Sequence, residues 1–167
     1  MFNNEVENKK EYQQYIVFKL DDQEYGINVL DSREIITADD LTELPDSPKF
    51  IKGIINLREE IIPIIDLVQR FNLEKSLNKE DSKVIIVSVN DTLVGLAVKS
   101  VKEILRIDLE NISETPEVVK KIKQNYIAGI ARLDDRLLIL LVLEEIFSDP
   151  ERVQILFLKK YSHRYSF

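Results

Sequence analysis

The chain reads as two copies of one pattern. Residues 15–36 align with 84–105 at a constant offset of 69, and residues 50–71 align with 126–147 at an offset of 76. Neither alignment has a gap, and each holds six identities in 22 positions. In the first these are Ile16/Ile85, Asp22/Asp91, Gly26/Gly95, Val29/Val98, Glu34/Glu103 and Ile35/Ile104; in the second, Ile51/Ile127, Gly53/Gly129, Ile54/Ile130, Leu57/Leu133, Leu67/Leu143 and Phe71/Phe147. The apolar pattern around them matches too, so the chain is read as a duplication, two similar units in one polypeptide. A unit of about 70 residues is marginally stable from burial alone, so the two are expected to pack against each other. Each copy is also a control on the other: a residue kept in one and lost from its twin is not demanded by the shared fold.

The pattern within each copy is that of strands. Tyr15–Leu20, a turn at Asp21-Asp22-Gln23, and Glu24–Val29 predict a hairpin, as do Val84–Val89, Asn90-Asp91-Thr92 and Leu93–Val98. Gly26 and Gly95 fall at the same point of the second strand, where a bulge or sharp bend is expected. Leu44-Pro-Asp-Ser-Pro48 is a proline-punctuated loop, and its counterpart from Ser113 to Gln124 contains Pro116. Strands are expected at Gly53–Leu57 and Gly129–Leu133, then, after charged turns, at Ile61–Leu67 and Leu137–Leu143. Pro63 cannot donate to a ladder, which predicts an edge or a bulge there; its twin Ile139 can pair normally. Short helices are expected at Leu67–Phe71 and Leu143–Phe147, and Asp149-Pro150 cap a last helix with Val153, Leu156, Phe157 and Lys160 on one face. The fold class is therefore mainly β. A tail (1–12) precedes one domain (13–147), divided into subdomains of about 13–80 and about 81–147, and a C-terminal helix or tail (148–167) follows.

Bulk properties exclude several functions. The longest apolar run, Leu137–Leu143, is seven residues, far short of the roughly 20 that span a bilayer. The N-terminus lacks the apolar stretch of a signal peptide, and without cysteine there is neither a disulfide framework nor a thiolate metal site. These features point to the cytoplasm, with no direct membrane insertion. Net charge is −7; the segment from Ser148 onward is +2, which leaves −9 for the rest. So acidic a body argues against nucleic acid as partner. Carboxylate pairs (Asp21/Asp22, Asp39/Asp40, Glu59/Glu60, Asp134/Asp135, Glu144/Glu145) fall largely in turns, where Asp is favoured without any catalytic purpose. His163 is the single histidine and has no visible metal-ligating neighbours. No nucleophile elbow, phosphate loop or dinucleotide fingerprint is present, and no catalytic residue, metal or cofactor is expected. Arg58 is the sharper candidate: its twin is Asp134, so the fold tolerates a change of charge sign, and its guanidinium is available to a partner. A solvated turn arginine is the competing reading. Glu34 keeps its twin Glu103, so a structural role competes with a binding role.

Phe50-Ile-Lys-Gly-Ile-Ile-Asn-Leu-Arg58, followed by Ile61-Ile-Pro-Ile-Ile-Asp-Leu67, closely resembles the hallmark segment of the CheW family, the coupling proteins of bacterial chemotaxis. Glu24–Val29 with Glu34-Ile35, and Tyr126–Leu140, resemble its other segments, so the resemblance runs from about Tyr15 to Phe147. It implies two SH3-like five-stranded β-barrels around a shared apolar core, and a non-enzymatic adaptor. Its implied partners are the regulatory domain of the histidine kinase CheA and the cytoplasmic tips of methyl-accepting chemoreceptors, helical hairpins that dock between the barrels. It also implies partner-binding roles for Glu34, Gly53, Asn56, Leu57 and Arg58, with Ser32 where family members often carry an apolar residue. The Arg58 turn and the inter-barrel groove are the expected contacts, the Pro63 edge a weaker one. Glu59 departs from the family glycine, Lys99 from a common aspartate, and Val142 from a common Asp or Asn that its twin Asp66 keeps. The alternatives are a regulatory domain of a larger kinase or adaptor, and a small-barrel enzyme using carboxylates such as Glu59 and Asp134.

Overall fold

The computed structural model describes residues 11–73, 83–114 and 126–146. The expected C-terminal helix, most of the N-terminal tail, Pro116, Phe147 and His163 lie outside them. The described chain is mainly β, as expected. Its strands are β1 (Tyr12–Lys19), β2 (Glu24–Asn28), β3 (Ser32–Thr37), β4 (Ile51–Leu57), β5 (Glu60–Asp66), β6 (Lys83–Val89), β7 (Thr92–Val98), β8 (Ser100–Asp108), β9 (Ile112–Ser113), β10 (Ile127–Arg132) and β11 (Leu137–Leu141). One α-helical turn, α1 (Leu67–Arg70), follows β5, and a 3-10 turn (Leu143–Glu145) stands at the equivalent place after β11.

The strands form a five-stranded sheet, β3-β6-β7-β5-β4, and a six-stranded sheet, β8-β1-β2-β11-β10-β9. Each mixes the two sequence repeats. The β6–β7 hairpin of the second repeat sits among β3, β4 and β5 of the first, and the β1–β2 hairpin of the first sits among β8, β10 and β11 of the second. The joints are equivalent: β5 pairs with β7 in parallel, Ile64 opposite Gly95, and β11 pairs with β2 in parallel, Leu140 opposite Gly26. The expected division near residue 80 thus separates the repeats in sequence but not the sheets in space. The repeats have exchanged hairpins, because a hairpin apolar on both faces is satisfied only between two other layers.

Side-chain alternation shows this directly. On β6, Val84 and Ile86 enter the interior of the five-stranded sheet, while Ile85, Val87 and Val89 enter a central cluster. On β1, Tyr15 and Val17 enter the interior of the six-stranded sheet, while Ile16 and Phe18 enter the same central cluster. Strands buried on both faces need continuous apolar runs rather than alternation, hence Val84–Val87, Ile62–Ile65 and Leu138–Leu141.

Each sheet curls until its two edges belong to one stretch of chain. β8 and β9 lie at opposite edges of the six-stranded sheet, separated only by a 3-10 turn at Leu109–Asn111. In the five-stranded sheet, Thr42, just beyond β3, exchanges two backbone hydrogen bonds with Ile54 of β4, at 2.9 and 2.8 Å. β3 and β8 had no counterpart in the sequence reading, because one face of each is open to solvent and Ser, Arg, Lys and Glu dilute their apolar signal.

Two expectations are corrected. Gly26 and Gly95 are not bulges; they sit in regular register opposite β1 and β6. Their reason is space: a Cβ on Gly95 would lie 2.5 Å from Ile64 Cδ1 and 2.7 Å from Val84 Cγ1, and one on Gly26 would lie 3.1 Å from Leu140 Cδ2. The register shifts lie instead at Ile51/Gly53 and Ile127/Gly129. Second, β5 is internal, between β4 and β7, and Pro63 is buried. The proline is tolerated because the parallel ladder to β7 begins only at Ile64, whereas in the twin Ile139 already pairs with Tyr25. Pro63 is therefore no partner surface.

These distances rank two substitutions. Gly95→Ala should cost about 2–3 kcal/mol, the upper range for an overpacked core, and Gly26→Ala about 1 kcal/mol or less, because its neighbours need to give only a few tenths of an ångström. Urea midpoints at constant m-value check the order; equal costs would mean that the two parallel joints are not packed as described.

Candidate functional site

The six residues expected to bind partners all lie on β3 and β4 or at their ends, along the seam where the five-stranded sheet meets itself. The hairpin joining β4 to β5 forms its tip. Leu57 pairs with Glu60, leaving a two-residue turn of Arg58 and Glu59 with φ of 51° and 67°. Left-handed φ at both central positions is what the right-handed twist of the flanking strands requires of so short a turn. The β6–β7 hairpin meets that requirement with Asn90 and Asp91, residues suited to it. Arg58 and Glu59 are not, and the left-handed region costs a residue with a Cβ about 1 kcal/mol or more. The departure from glycine at Glu59 thus lies at a position that needs positive φ.

Arg58 Nη2 donates to Glu34 Oε2 of β3 at 2.8 Å. This ion pair crosses the seam, joining the tip of one edge to the opposite edge. It is open to water, with Arg58 77 % and Glu34 26 % exposed in their side chains, so it adds at most about 1 kcal/mol of stability. Its larger effect is to hold an exposed guanidinium over a carboxylate whose other oxygen, Oε1, is buried without a hydrogen-bond partner.

The remaining expected residues divide. Asn56, exposed opposite Ile61, and Leu57, half-buried against the sheet interior, lead into the tip. Ser32 is occupied locally, its hydroxyl donating to the Val29 carbonyl at 2.7 Å and closing the 3-10 turn Val29–Asp31. Gly53 lies deep in the seam: a Cβ there would collide with the Thr42 carbonyl oxygen and sit 3.0 Å from Leu41 Cγ. Its role is to let the sheet edges meet, as does Gly129, where a Cβ would be 2.8 Å from the Ser113 oxygen. Beside Ser32, burial raises the Asp31 carboxyl above its ordinary pKa, Glu144 pushes the same way, and Arg33 opposes both.

The sequence reading missed Arg136. Position by position, Arg58 matches Asp134 and Arg136 matches Glu60, so aligned residues differ in charge. In space the copies agree. Arg136 Nη2 donates to Glu103 Oε1 at 3.1 Å, with Glu24 Oε1 3.4 Å from Nη1. Each repeat therefore sends an arginine from its hairpin end to the repeated glutamate, from opposite arms of the turn. The signal was the reversed charge order, Arg-Glu-Glu against Asp-Asp-Arg. Arg58 consequently has a structural counterpart that residue-by-residue comparison denied it. The departure at Val142 also has a physical consequence. Asp66 caps α1, accepting from Gln69 N at 3.2 Å, while Val142 offers no such cap and only a 3-10 turn follows. Nothing in the structure explains Lys99, exposed at the β7–β8 corner.

Among the described residues no cluster of three or more His, Cys, Asp or Glu could hold a metal ion, and no helix is long and apolar enough to cross a membrane. These features define a class: a mainly β protein of two curled sheets with exchanged hairpins, each sheet's seam crossed by an Arg–Glu pair. A family model described as CheW-like domain matches residues 14–151. Chemotaxis protein CheW of Klebsiella aerogenes is 35 % identical over 139 residues, covering 83 % of this chain and 84 % of that protein. Chemotaxis protein CheW of Thermotoga maritima is 33 % identical over 138 residues, covering 79 % and 85 %. The crystal structure of scaffolding protein TtCheW from Thermoanaerobacter tengcongensis superposes with a TM-score of 0.77 at 37 % identity, covering 83 % of this chain and 94 % of that one. The chain belongs to the CheW-like family.

Glu59→Gly should raise stability by about 1 kcal/mol by relieving left-handed strain, which for a chain of this size lifts Tm by about 2–4 °C. Thermal melts check it; an unchanged or lower Tm would mean that the turn is not strained at Glu59.

Proposed function

We propose that the protein is a non-enzymatic scaffold of bacterial chemotaxis, acting in the cytoplasm, that binds the regulatory domain of the histidine kinase CheA and the cytoplasmic tips of methyl-accepting chemoreceptors. The observation that carries this reading is membership of the CheW-like family across residues 14–151, supported by relatives named as chemotaxis proteins and a structural neighbour titled a scaffolding protein. The chemistry of the chain agrees: its best-formed exposed feature is a positioned charge pair on a strained hairpin tip, a recognition element rather than a reaction centre.

Arg58, Glu34, Asn56 and Leu57 are proposed as a contiguous contact, with Ser32 and Gly53 acting through the turn and the seam they shape. Arginine is among the side chains enriched at interface hot spots, and the Arg58 guanidinium is exposed and held in place by Glu34. A second reading, a regulatory domain within a larger protein, draws on chemotaxis protein CheV3 of Helicobacter pylori. It is 34 % identical over 128 residues that make up only 41 % of its length, so the same domain also serves as part of a longer chain.

Co-sedimentation with a receptor-tip fragment and a CheA regulatory domain tests the proposal. The wild-type chain should be retained with both. Arg58→Ala should weaken at least one interaction about tenfold or more while shifting Tm by no more than about 4 °C, the limit set by an exposed ion pair. Undiminished retention of the variant would remove Arg58 from the contact. Loss of binding in proportion to loss of stability would make its role structural.

A further inference from the structure

Among the described residues six non-glycine residues have a positive φ. Four are Asp46, Asn72, Asn90 and Asp91, whose short polar side chains suit the left-handed region. The other two are Arg58 and Glu59, side by side at the tip of the β4–β5 hairpin, with long side chains that do not. The β6–β7 hairpin closes with a turn of the same length: Val89 pairs with Thr92 and leaves Asn90 and Asp91 between them. The chain therefore holds a less strained solution to the same turn, and the fold does not ask for Arg-Glu. Strain kept where the fold does not demand it points to a function for the side chains concerned.

Arg58 already has a place in the proposed contact; Glu59 has none. Arg58 reaches Glu34 across the seam at 2.8 Å, so its guanidinium is engaged on the β3 side. Glu59 is exposed and makes no ion pair or side-chain hydrogen bond with any described residue. The pairing of Leu57 with Glu60 fixes the backbone on both sides of it, so its carboxylate leaves the tip from a set position. Within the fold Glu59 thus carries a conformational penalty that no polar contact offsets. With the Arg58 guanidinium it places two opposite charges on consecutive residues, whose Cα atoms are about 3.8 Å apart. A charge pair of fixed order accepts a partner with the complementary order and disfavours the reverse, which is how charged groups set register and selectivity at an interface.

We propose that Glu59 is a specificity-determining residue of the tip. It takes a lysine or arginine side chain of the partner docked against Arg58, and it discriminates against a partner that presents a carboxylate there. This assignment rests on the scaffold reading and adds to it the charge of the partner's facing residue.

Titrations of the full chain with the CheA regulatory domain and with the receptor-tip fragment test it, at about 0.1 M and about 1 M salt, between which the Debye length falls from about 10 Å to about 3 Å. Glu59→Gln keeps the size and the strained backbone and removes the charge. It should weaken at least one of the two complexes about tenfold at the lower salt with Tm unchanged, and the difference from wild type should shrink at the higher salt. Glu59→Asp keeps the charge and should stay within about threefold of wild type. Glu59→Gly should bind as weakly as Glu59→Gln while melting higher than wild type, a separation that a structural role does not produce. Binding of Glu59→Gln equal to wild type for both partners would overturn the proposal. So would equal losses for Glu59→Asp and Glu59→Gln, or a loss indifferent to salt. A wild-type chain that binds neither partner would overturn the scaffold reading and this assignment with it, so the wild-type titration alone tells the two failures apart.

Discussion

The structure depends on two parallel strand pairings, β5 with β7 and β11 with β2. They insert each repeat's hairpin into the other's sheet. Either sheet without its visitor would expose the flank of β5 or β11 and leave one side of the central cluster open. The cluster draws on β1, β2, β4, β5, β6, β7 and β11, so neither repeat owns it. Two units that would each be marginal alone thus share one large core, and stability does not rest on an interface between finished domains.

That constraint explains the glycines. A hairpin that enters between two layers must approach a foreign strand closely. Gly95 stands where Ile64 leaves no room for a Cβ, and Gly26 where Leu140 leaves little. Gly53 and Gly129 do the same where each sheet's edges meet, against the carbonyls of Thr42 and Ser113. All four glycines of the chain are therefore spent on backbone approach. None remains for the β4–β5 turn, where Arg58 and Glu59 adopt left-handed conformations against their preference. The strained tip is possible because paired strands on both sides dictate its twist.

The two Arg–Glu pairs follow from curling. A sheet whose first and last strands converge brings a hairpin end on one edge over the opposite edge. A glutamate there and an arginine on the hairpin suffice to bridge them. The bridge contributes little energy in water, but it fixes where the charges stand. The two copies make the same contact with arginines on opposite arms of the turn, so the contact does not depend on one aligned position.

The strands with continuous apolar runs, the hairpins, the duplication and, through the resemblance, the family were all legible in the residues alone. Those signals are local: burial on both faces writes itself into consecutive residues, and a repeat is visible without coordinates. Of the site, Arg58 and Glu34 were legible as candidates, but not as a pair, and Arg136 was not legible at all. Long-range packing settled the rest: that the hairpins change places, that Gly26 and Gly95 are packing positions and not bulges, that Pro63 is buried, and that Arg136 is the counterpart of Arg58. Each of these turns on which strand lies beside which. A continuous apolar run says that both faces are covered, but it does not say by whom.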